Sequence, residues 1–475
     1  MTAGSARAGA LPVLDRRRSG VLLHPSCLLS APDAADSRDI RGALGAAARG
    51  FIDWLSAAGA SVWQVLPLGP VGDEGSPYWV RSDQAGNPGL IDLHEAPDPA
   101  AARGDFEDFC AAECAWLEDY VLFAALGRAH ADTPWWAWSE PLRDRQAEAL
   151  RTAAARLAPE LQALRVEQWR FARQWEALRR YAHERGVRLY GDLPIYLAPN
   201  SAATWTARNQ FQLRSDGQPA LLAGVPPDYF AADGQLWGNP LYDWEQAQRD
   251  DFAFWRARMA SQLRRFDVVR IDHFRGLAGY WAVPAGARTA REGRWQPAPG
   301  VALLTALREA CGALPVVAED LGVITEDVVA LRQAFGLPGM RVLQFGFDGS
   351  ADNPHLPYNY TRDVVAYTGT HDNDTSLGWY RSLDAPTRRR VGEFLGADPG
   401  QMPGALVRAA LASVAVLAMV PVQDVLALGS EARFNVPGTV GGNWAWRLEP
   451  GALDGAAAER HRALNELFGR LPQPQ

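Results

Sequence analysis

Acidic residues close four of the apolar stretches along this 475-residue chain. Asp192 lies in GDLPIY, Asp272 in VRIDHF, Glu319 in VVAEDLG and Asp372 in TGTHDND. A carboxylate at the end of an apolar strand is costly to bury unless it is paired or used in chemistry. A single one could instead cap the helix that follows. Four such acids on separate strands favour a catalytic group.

Arg270 precedes Asp272 by two residues, so the two side chains share one face of a strand. A guanidinium beside a carboxylate keeps that carboxylate ionised, which a nucleophile requires. A purely structural ion pair would have the same spacing. Two carboxylates, one ionised and one protonated, are the minimum for glycoside cleavage, and a third acid can hold sugar hydroxyls. The acids therefore indicate chemistry on a sugar.

Tryptophan is abundant, with 18 residues in the chain, and its flat apolar ring suits the C–H face of a sugar. Trp79, Trp205, Trp237 and Trp281 lie in loop-like or strand-end stretches. A tryptophan at such a position more often packs against other apolar side chains than binds a sugar ring. The tryptophans therefore support a carbohydrate substrate only together with the acids.

Eight short apolar runs alternate with helix-like stretches along the chain. They are GVLLH (20–24), SVWQVLPL (61–68), VRLYGDLPIYL (187–197), DVVRIDHF (267–274), LPVVAEDLG (314–322), MRVLQFGFD (340–348), VVAYTGTHDND (364–374) and AVLAMVPVQDVL (415–426). This alternation indicates a parallel sheet covered on both faces. Eight runs without an early GxGxxG turn fit an α/β fold of the (β/α)8 TIM-barrel type better than an open doubly wound sheet. Barrel chemistry takes place at the C-terminal ends of the strands, where the four acids are predicted.

We expect residues 1–19 to be a flexible start and residues 20–475 to form the catalytic barrel. A helical insertion is predicted at about 90–165. A loop-rich lid over the cleft is predicted at about 198–250, where turn residues and aromatics are interleaved. Because only about 100 residues follow Asp372, we expect no C-terminal β-domain.

Composition excludes several classes of function. All 47 basic residues are arginine, which excludes Schiff-base chemistry, pyridoxal phosphate anchored through lysine and the P-loop lysine. The net charge of −8 argues against a nucleic-acid partner. The eight histidines form no metal motif, so we expect no metal and no cofactor. Without the apolar stretch of a signal peptide or of a membrane span, we expect a cytoplasmic protein with no membrane partner.

Longer stretches around the acids resemble the amylomaltase family, the 4-α-glucanotransferases or disproportionating enzymes of glycoside hydrolase family 77. The similar stretches are AGVPPDYF (223–230), VRIDHFRG (269–276), AEDLGVIT (318–325), YTGTHDNDTSLGWY (367–380), PVQDVLALGSEARFN (421–435) and GNWAWR (442–447). The resemblance extends from about Gly20 to about Gly469, which is nearly the whole chain.

The resemblance implies a role for each acid. Asp272 would be the nucleophile that forms a covalent β-glucosyl intermediate, Glu319 the general acid and base, and Asp372 the stabiliser of the transition state. Further residues match positions that bind the sugar: Tyr78, Asp192, Arg270, His273 and His371 around subsite −1, and Asp228 and Trp237 on the loop at 223–242.

The implied reaction moves an α-1,4-glucan segment to the 4-OH of glucose or of another glucan by retaining double displacement. The implied substrates are malto-oligosaccharides, maltodextrin, glycogen or starch, acted on by a monomer or weak homo-oligomer. An α-amylase-like hydrolase that uses the same acids is the alternative. A non-catalytic glucan-binding protein would tend to lose one of the acids, and this chain keeps all three.

Four positions depart from the family pattern. Asp83 and Gln84 stand where the family usually has Ala and Phe, Val62 stands where many relatives have Tyr, and Tyr358 stands where His is common. These departures leave the three acids unchanged and concern donor-side contacts and any secondary glucan site.

Overall fold

The architecture comes from a computed structural model, which describes residues 13–28, 40, 42–72, 74–227, 232–439 and 441–473. These ranges contain twelve strands: β1 Arg18–Leu22, β2 Val62–Gln64, β3 Arg188–Leu193, β4 Leu221–Val225, β5 Gln235–Pro240, β6 Val268–Ile271, β7 Gly279–Pro284, β8 Arg294–Pro297, β9 Val316–Ala318, β10 Gly339–Val342, β11 Val364–Tyr367 and β12 Leu417–Pro421.

The same ranges contain sixteen α-helices, joined in places by short 3-10 turns. They are α1 Ala46–Ala57, α2 Arg103–Ala112, α3 Cys114–Ala129, α4 Glu140–Arg143, α5 Ala147–Arg156, α6 Ala158–Glu184, α7 Ala202–Thr206, α8 Trp244–Arg249, α9 Ala253–Arg265, α10 Gly300–Cys311, α11 Glu326–Ala334, α12 Ser376–Ser382, α13 Ala385–Leu395, α14 Gly404–Ala412, α15 Val422–Val425 and α16 Gly455–Leu467. None of these described helices is long and apolar enough to cross a membrane.

Eight strands form one parallel sheet in the order β10-β11-β12-β1-β2-β3-β6-β9. The two ends of this order meet, because the Ala318 N–H on β9 donates to the Pro338 carbonyl, one residue before β10, at 2.8 Å. The eight strands therefore close on themselves, and the predicted (β/α)8 barrel is confirmed.

Side chains along the barrel strands alternate between the inside and the surrounding helices. Val268 on β6 and Tyr190 on β3 belong to the apolar cluster inside the barrel. Val269 and Ile271 belong instead to the cluster that includes the covering helices. Because inward positions recur every second residue, Asp192 and Arg270 also point into the barrel, one step above the apolar layer, toward its C-terminal mouth.

Two further parts pack on the barrel. Helices α2 to α6 share an apolar cluster that includes Trp135, Trp169 and Trp205. Trp205 is 0% exposed, so its ring serves packing and not sugar binding. Strands β4, β5, β7 and β8 form a separate antiparallel sheet in the order β5-β4-β7-β8. The insertion at 90–165 and the lid at 198–250, as functional units, stay predictions.

Asp83, one of the departures from the family pattern, lies in a buried ion pair. Its carboxylate is 2.6 Å from Nε of Arg258, and the two side chains are 6% and 0% exposed. The same guanidinium donates to the Tyr242 hydroxyl and to the Pro194 carbonyl, both at 2.8 Å. Because a charge without a partner is very costly in such a place, Asp83 and Arg258 depend on each other.

Candidate active site

Arg270 connects two carboxylates at the mouth of the barrel. It is in register with Asp192 on the neighbouring strand β3, and its Nη1 donates to both carboxylate oxygens at 2.9 and 2.8 Å. Its Nη2 lies 2.8 Å from Oδ1 of Asp272. The side chain of Asp192 is fully buried, whereas that of Asp272 is 29% exposed. Asp272 is therefore the carboxylate that a substrate can reach.

Asp272 and Glu319 end adjacent strands in matching register. Ile271 on β6 pairs with Ala318 on β9, so the two acids follow side by side. The backbone joins them further, since the Glu319 N–H donates to the Ile271 carbonyl at 3.1 Å. The carboxylate of Glu319 in turn accepts the His273 N–H at 2.7 Å. The two acids that are distant in sequence thus meet at one point.

His273, directly after Asp272, has a left-handed backbone with φ 48° and ψ 49°. This conformation costs a non-glycine residue about 1–3 kcal/mol and is held only where the surroundings enforce it. Its N–H is the group that binds Glu319, while its ring stands edge-on to Trp237 with ring centres 4.8 Å apart. Burial lowers the pKa of His273 to about 4, so the imidazole is neutral near pH 7.

Glu319 is 9% exposed, and this burial raises its pKa to about 8. The positive charge of Arg270 works against the increase, and the negative charge of Asp272 adds to it. Backbone N–H groups of His273 and Leu321 bind the two carboxylate oxygens and also oppose it. Burial prevails, so Glu319 is protonated near pH 7 beside an Asp272 that is ion-paired with Arg270.

Asp372 lies on the loop after β11 and is held in its charged form. Its Oδ1 accepts a hydrogen bond from the Asn435 amide at 2.6 Å, and its Oδ2 is 3.3 Å from Nε2 of His371. Burial acts to raise the pKa of Asp372, but the imidazole of His371 and the hydrogen bonds from His371 and Asn435 outweigh it and lower the pKa to about 2. Asp372 is therefore a carboxylate near pH 7.

Tyr78 joins these groups into one wall. Its hydroxyl donates to Asp192 at 2.7 Å, and its ring stacks on His371 with centres 5.1 Å apart and planes 14° apart. Trp444 packs against both rings, with centres 6.0 and 6.1 Å away. Tyr78 thus connects the Asp192–Arg270 pair to His371, the residue beside Asp372.

The structure brings together all the described residues predicted for the site, and their individual roles stay predictions. Trp237, on β5, reaches the site through His273. Asp228 lies outside the described residues. No role was predicted from the sequence for Asn435, Arg433 or Trp444, although the first two lie in PVQDVLALGSEARFN and the third in GNWAWR. Neither stretch shows by its residue pattern which of its side chains face the acids.

Comparison with known proteins finds relatives that match nearly the whole chain. The model of the 4-alpha-glucanotransferase family matches residues 35–103 and 94–453. The 4-alpha-glucanotransferase of Thermus thermophilus is 46% identical over 96% of this chain and 99% of its own length, and that of Synechocystis is 43% identical over the same shares. The solved amylomaltase of Streptococcus agalactiae, in complex with acarbose, is 31% identical with a TM-score of 0.91, covering 96% of this chain and all of the other.

Proposed function

The chain belongs to the 4-alpha-glucanotransferase family and is a 4-alpha-glucanotransferase. We propose that it transfers α-1,4-glucan segments by retaining double displacement through Asp272, Glu319 and Asp372. One observation carries this mechanism. Asp272 and Glu319 lie side by side at the ends of β6 and β9, the first ion-paired with Arg270 and the second with a pKa raised to about 8. A charged nucleophile beside a protonated acid is the pair that a retaining enzyme needs.

In the first step, the Asp272 carboxylate attacks the anomeric carbon of the glucose in subsite −1. The bond from that carbon to the glycosidic oxygen breaks, and Glu319 gives its proton to the departing oxygen. The donor glucan is left attached to Asp272 as an ester. Glu319, now a carboxylate, is stabilised by the N–H groups of His273 and Leu321, which bind its two oxygens at 2.7 and 3.0 Å.

In the second step, Glu319 takes the proton from the 4-OH of the acceptor sugar. The acceptor oxygen attacks the same carbon, the ester bond to Asp272 breaks, and Glu319 regains its proton. Two inversions at one carbon preserve the α configuration. The strained backbone of His273 supports both steps, because it keeps the N–H of the residue beside the nucleophile on the carboxylate of the acid.

Asp372 would bind hydroxyls of the −1 sugar more strongly as the ring flattens and positive charge develops. Its charged form, fixed by Asn435 and His371, suits that role. Tyr78 and His371 present a stacked pair of rings beside the acid, which fits a sugar face. Trp237 and Asp228 would contact the glucan from the lid.

The substrates we propose are malto-oligosaccharides and longer α-1,4-glucans, and the complex of a similar amylomaltase with acarbose supports this class. We further propose a monomer or weak homo-oligomer in the cytoplasm, without nucleic-acid or membrane partners; the net charge of −8 supports the absence of nucleic acid. The segment 198–250 is proposed as a lid, supported by the contact of Trp237 with His273.

Transfer needs the acceptor to outcompete water, which a covered site achieves by exclusion and by a high effective concentration of the sugar hydroxyl. Incubation with maltotriose tests this. Transfer yields glucose together with a ladder of longer oligomers. A product mixture of shorter sugars alone would identify a hydrolase.

The nucleophile is tested by Asp272→Ala, for which we expect no detectable transfer and an intact fold by circular dichroism. The matched control is Asp53→Ala, which removes an acid with a 52% exposed side chain on the outer helix α1 and should keep wild-type turnover. Turnover near the wild-type rate in Asp272→Ala would remove the assignment.

A further inference from the structure

The loop 368-TGTHDNDT-375, which carries His371 and Asp372, runs from the end of β11 to the start of α12. Both ends of this loop are bound to one buried carboxylate, that of Asp424. At the first end, the Thr368 hydroxyl donates to Oδ2 of Asp424 at 2.5 Å. At the other end, Ser376 donates its N–H to Oδ1 at 2.7 Å and its hydroxyl to Oδ2 at 2.6 Å.

Asp424 lies in α15, directly after β12, which is the neighbour of β11 in the barrel. It is 3% exposed, and Thr368 and Ser376 are fully buried, so none of the three is placed to touch a sugar. A carboxylate buried this deeply is costly unless several donors satisfy it. Here three donors do so, and all three belong to the ends of one catalytic loop.

We propose that Asp424 is a positioning residue, which holds the two ends of this loop together and thereby sets the place of Asp372 relative to Asp272 and Glu319. This inference rests on the proposed role of Asp372. Other groups hold the middle of the loop: the Gln344 amide donates to the Asp374 carbonyl at 2.9 Å, and Arg433 donates to the Asp372 carbonyl at 2.8 Å. Asp424 differs from them because it joins the loop to the barrel on both sides.

Asp424 acts through its shape and hydrogen bonds and not through its charge, and two substitutions separate these effects. Asn in place of Asp424 keeps the shape and one oxygen for the Ser376 N–H. The NH2 group of Asn would take the place of Oδ2 of Asp424. The hydroxyls of Thr368 and Ser376, which donate to Oδ2 in the wild type, can rotate and accept hydrogen bonds from this NH2 group. Ala removes all three contacts. Asn should therefore preserve the loop, and Ala should release it.

The experiment measures kcat and KM with maltotriose for the wild type, Asp424→Ala and Asp424→Asn, at a temperature where all three are folded. For the Ala variant we expect kcat to fall by up to about 10²-fold with KM nearly unchanged, because misplacing a catalytic group by ~1 Å has an effect of that size. For the Asn variant we expect kcat close to the wild-type value.

The matched control is Asp267→Ala. Asp267 is also a buried acid, with an 11% exposed side chain, that binds three partners: the Leu189 N–H at 2.8 Å, His183 at 2.8 Å and Arg179 at 3.0 Å. It directly precedes β6, at the opposite end of the barrel from the site. Its loss should lower the unfolding temperature and leave kcat unchanged, which separates positioning from general stability.

Three results would overturn the inference: wild-type kcat in folded Asp424→Ala, an equal loss of kcat in Asp267→Ala, or an Asn variant as slow as the Ala variant. If Asp424→Ala does not fold, Thr368→Val and Ser376→Ala each remove one hydroxyl contact and should lower kcat in the same direction. Unchanged kcat in both would overturn the inference as well. Asp372→Asn, measured alongside, tests the proposed function separately, since full activity there would remove the role of Asp372 itself.

Discussion

Glu319→Gln should remove activity and, at the same time, invert the stability difference from the wild type between pH 5 and pH 8. Burial raises the pKa of Glu319 from its ordinary value of 4.5 to about 8. Between these values the folded chain holds a proton that the unfolded chain has released. Unfolding therefore releases a proton, and the free energy of unfolding falls as the pH rises through this interval.

The size of the effect follows from the width of the interval. It spans roughly 3.5 pH units, each worth about 1.4 kcal/mol, so this one carboxyl group lowers the stability of the wild type by an upper limit of about 5 kcal/mol. Gln carries no such proton. Its NH2 group, however, must face the N–H of His273 or of Leu321, which costs about 1–3 kcal/mol at every pH.

The variant is thus expected to be less stable than the wild type at pH 5 and more stable at pH 8. The difference should change by about 4 kcal/mol at most across these three pH units. Urea unfolding followed by tryptophan fluorescence at pH 5, 6, 7 and 8 measures it. Glu245→Gln, at a side chain that is 88% exposed, is the control and should show no such dependence. A constant difference between wild type and Glu319→Gln would refute the claim that Glu319 is protonated in the folded chain.

Three further expectations concern Glu319, Asn435 and Asp83. The value of kcat/KM should fall above pH about 8, where Glu319 loses its proton, and a pH–rate profile without that decline would contradict its role as the acid. Asn435→Ala removes the 2.6 Å hydrogen bond to Asp372 and should lower kcat by about 10- to 100-fold, since a hydrogen bond to a charged group is worth about 1.5–3 kcal/mol. Steady-state kinetics measure the change, and an unchanged kcat would contradict the role given to this hydrogen bond. Asp83→Ala leaves Arg258 buried without its carboxylate and should cost about 3–5 kcal/mol of stability in urea unfolding, whereas a loss below about 1 kcal/mol would show that the pair is dispensable.

The spacing of residues along the chain was enough to predict the barrel fold and the acids at its rim. Eight apolar runs alternating with helices predicted the barrel, because a strand covered on both faces must be apolar along its length. The i, i+2 spacing predicted that Arg270 and Asp272 share a face, and the structure has them 2.8 Å apart. The four acids at strand ends had to meet, since parallel strands in a barrel end at the same rim. The longer motifs added the family, and the comparisons confirm it.

Only the tertiary structure decided which residues complete the site. Asn435 is 63 positions from Asp372, and Asp424 is 48 positions from Ser376, so no local pattern links them. The protonation of Glu319 depends on burial by neighbouring elements, which sequence spacing does not encode. The sequence, through its local periodicity, determines which residues reach the rim of the barrel. Closure of the barrel decides which of them touch and which keep a proton, because both depend on atoms contributed by distant parts of the chain.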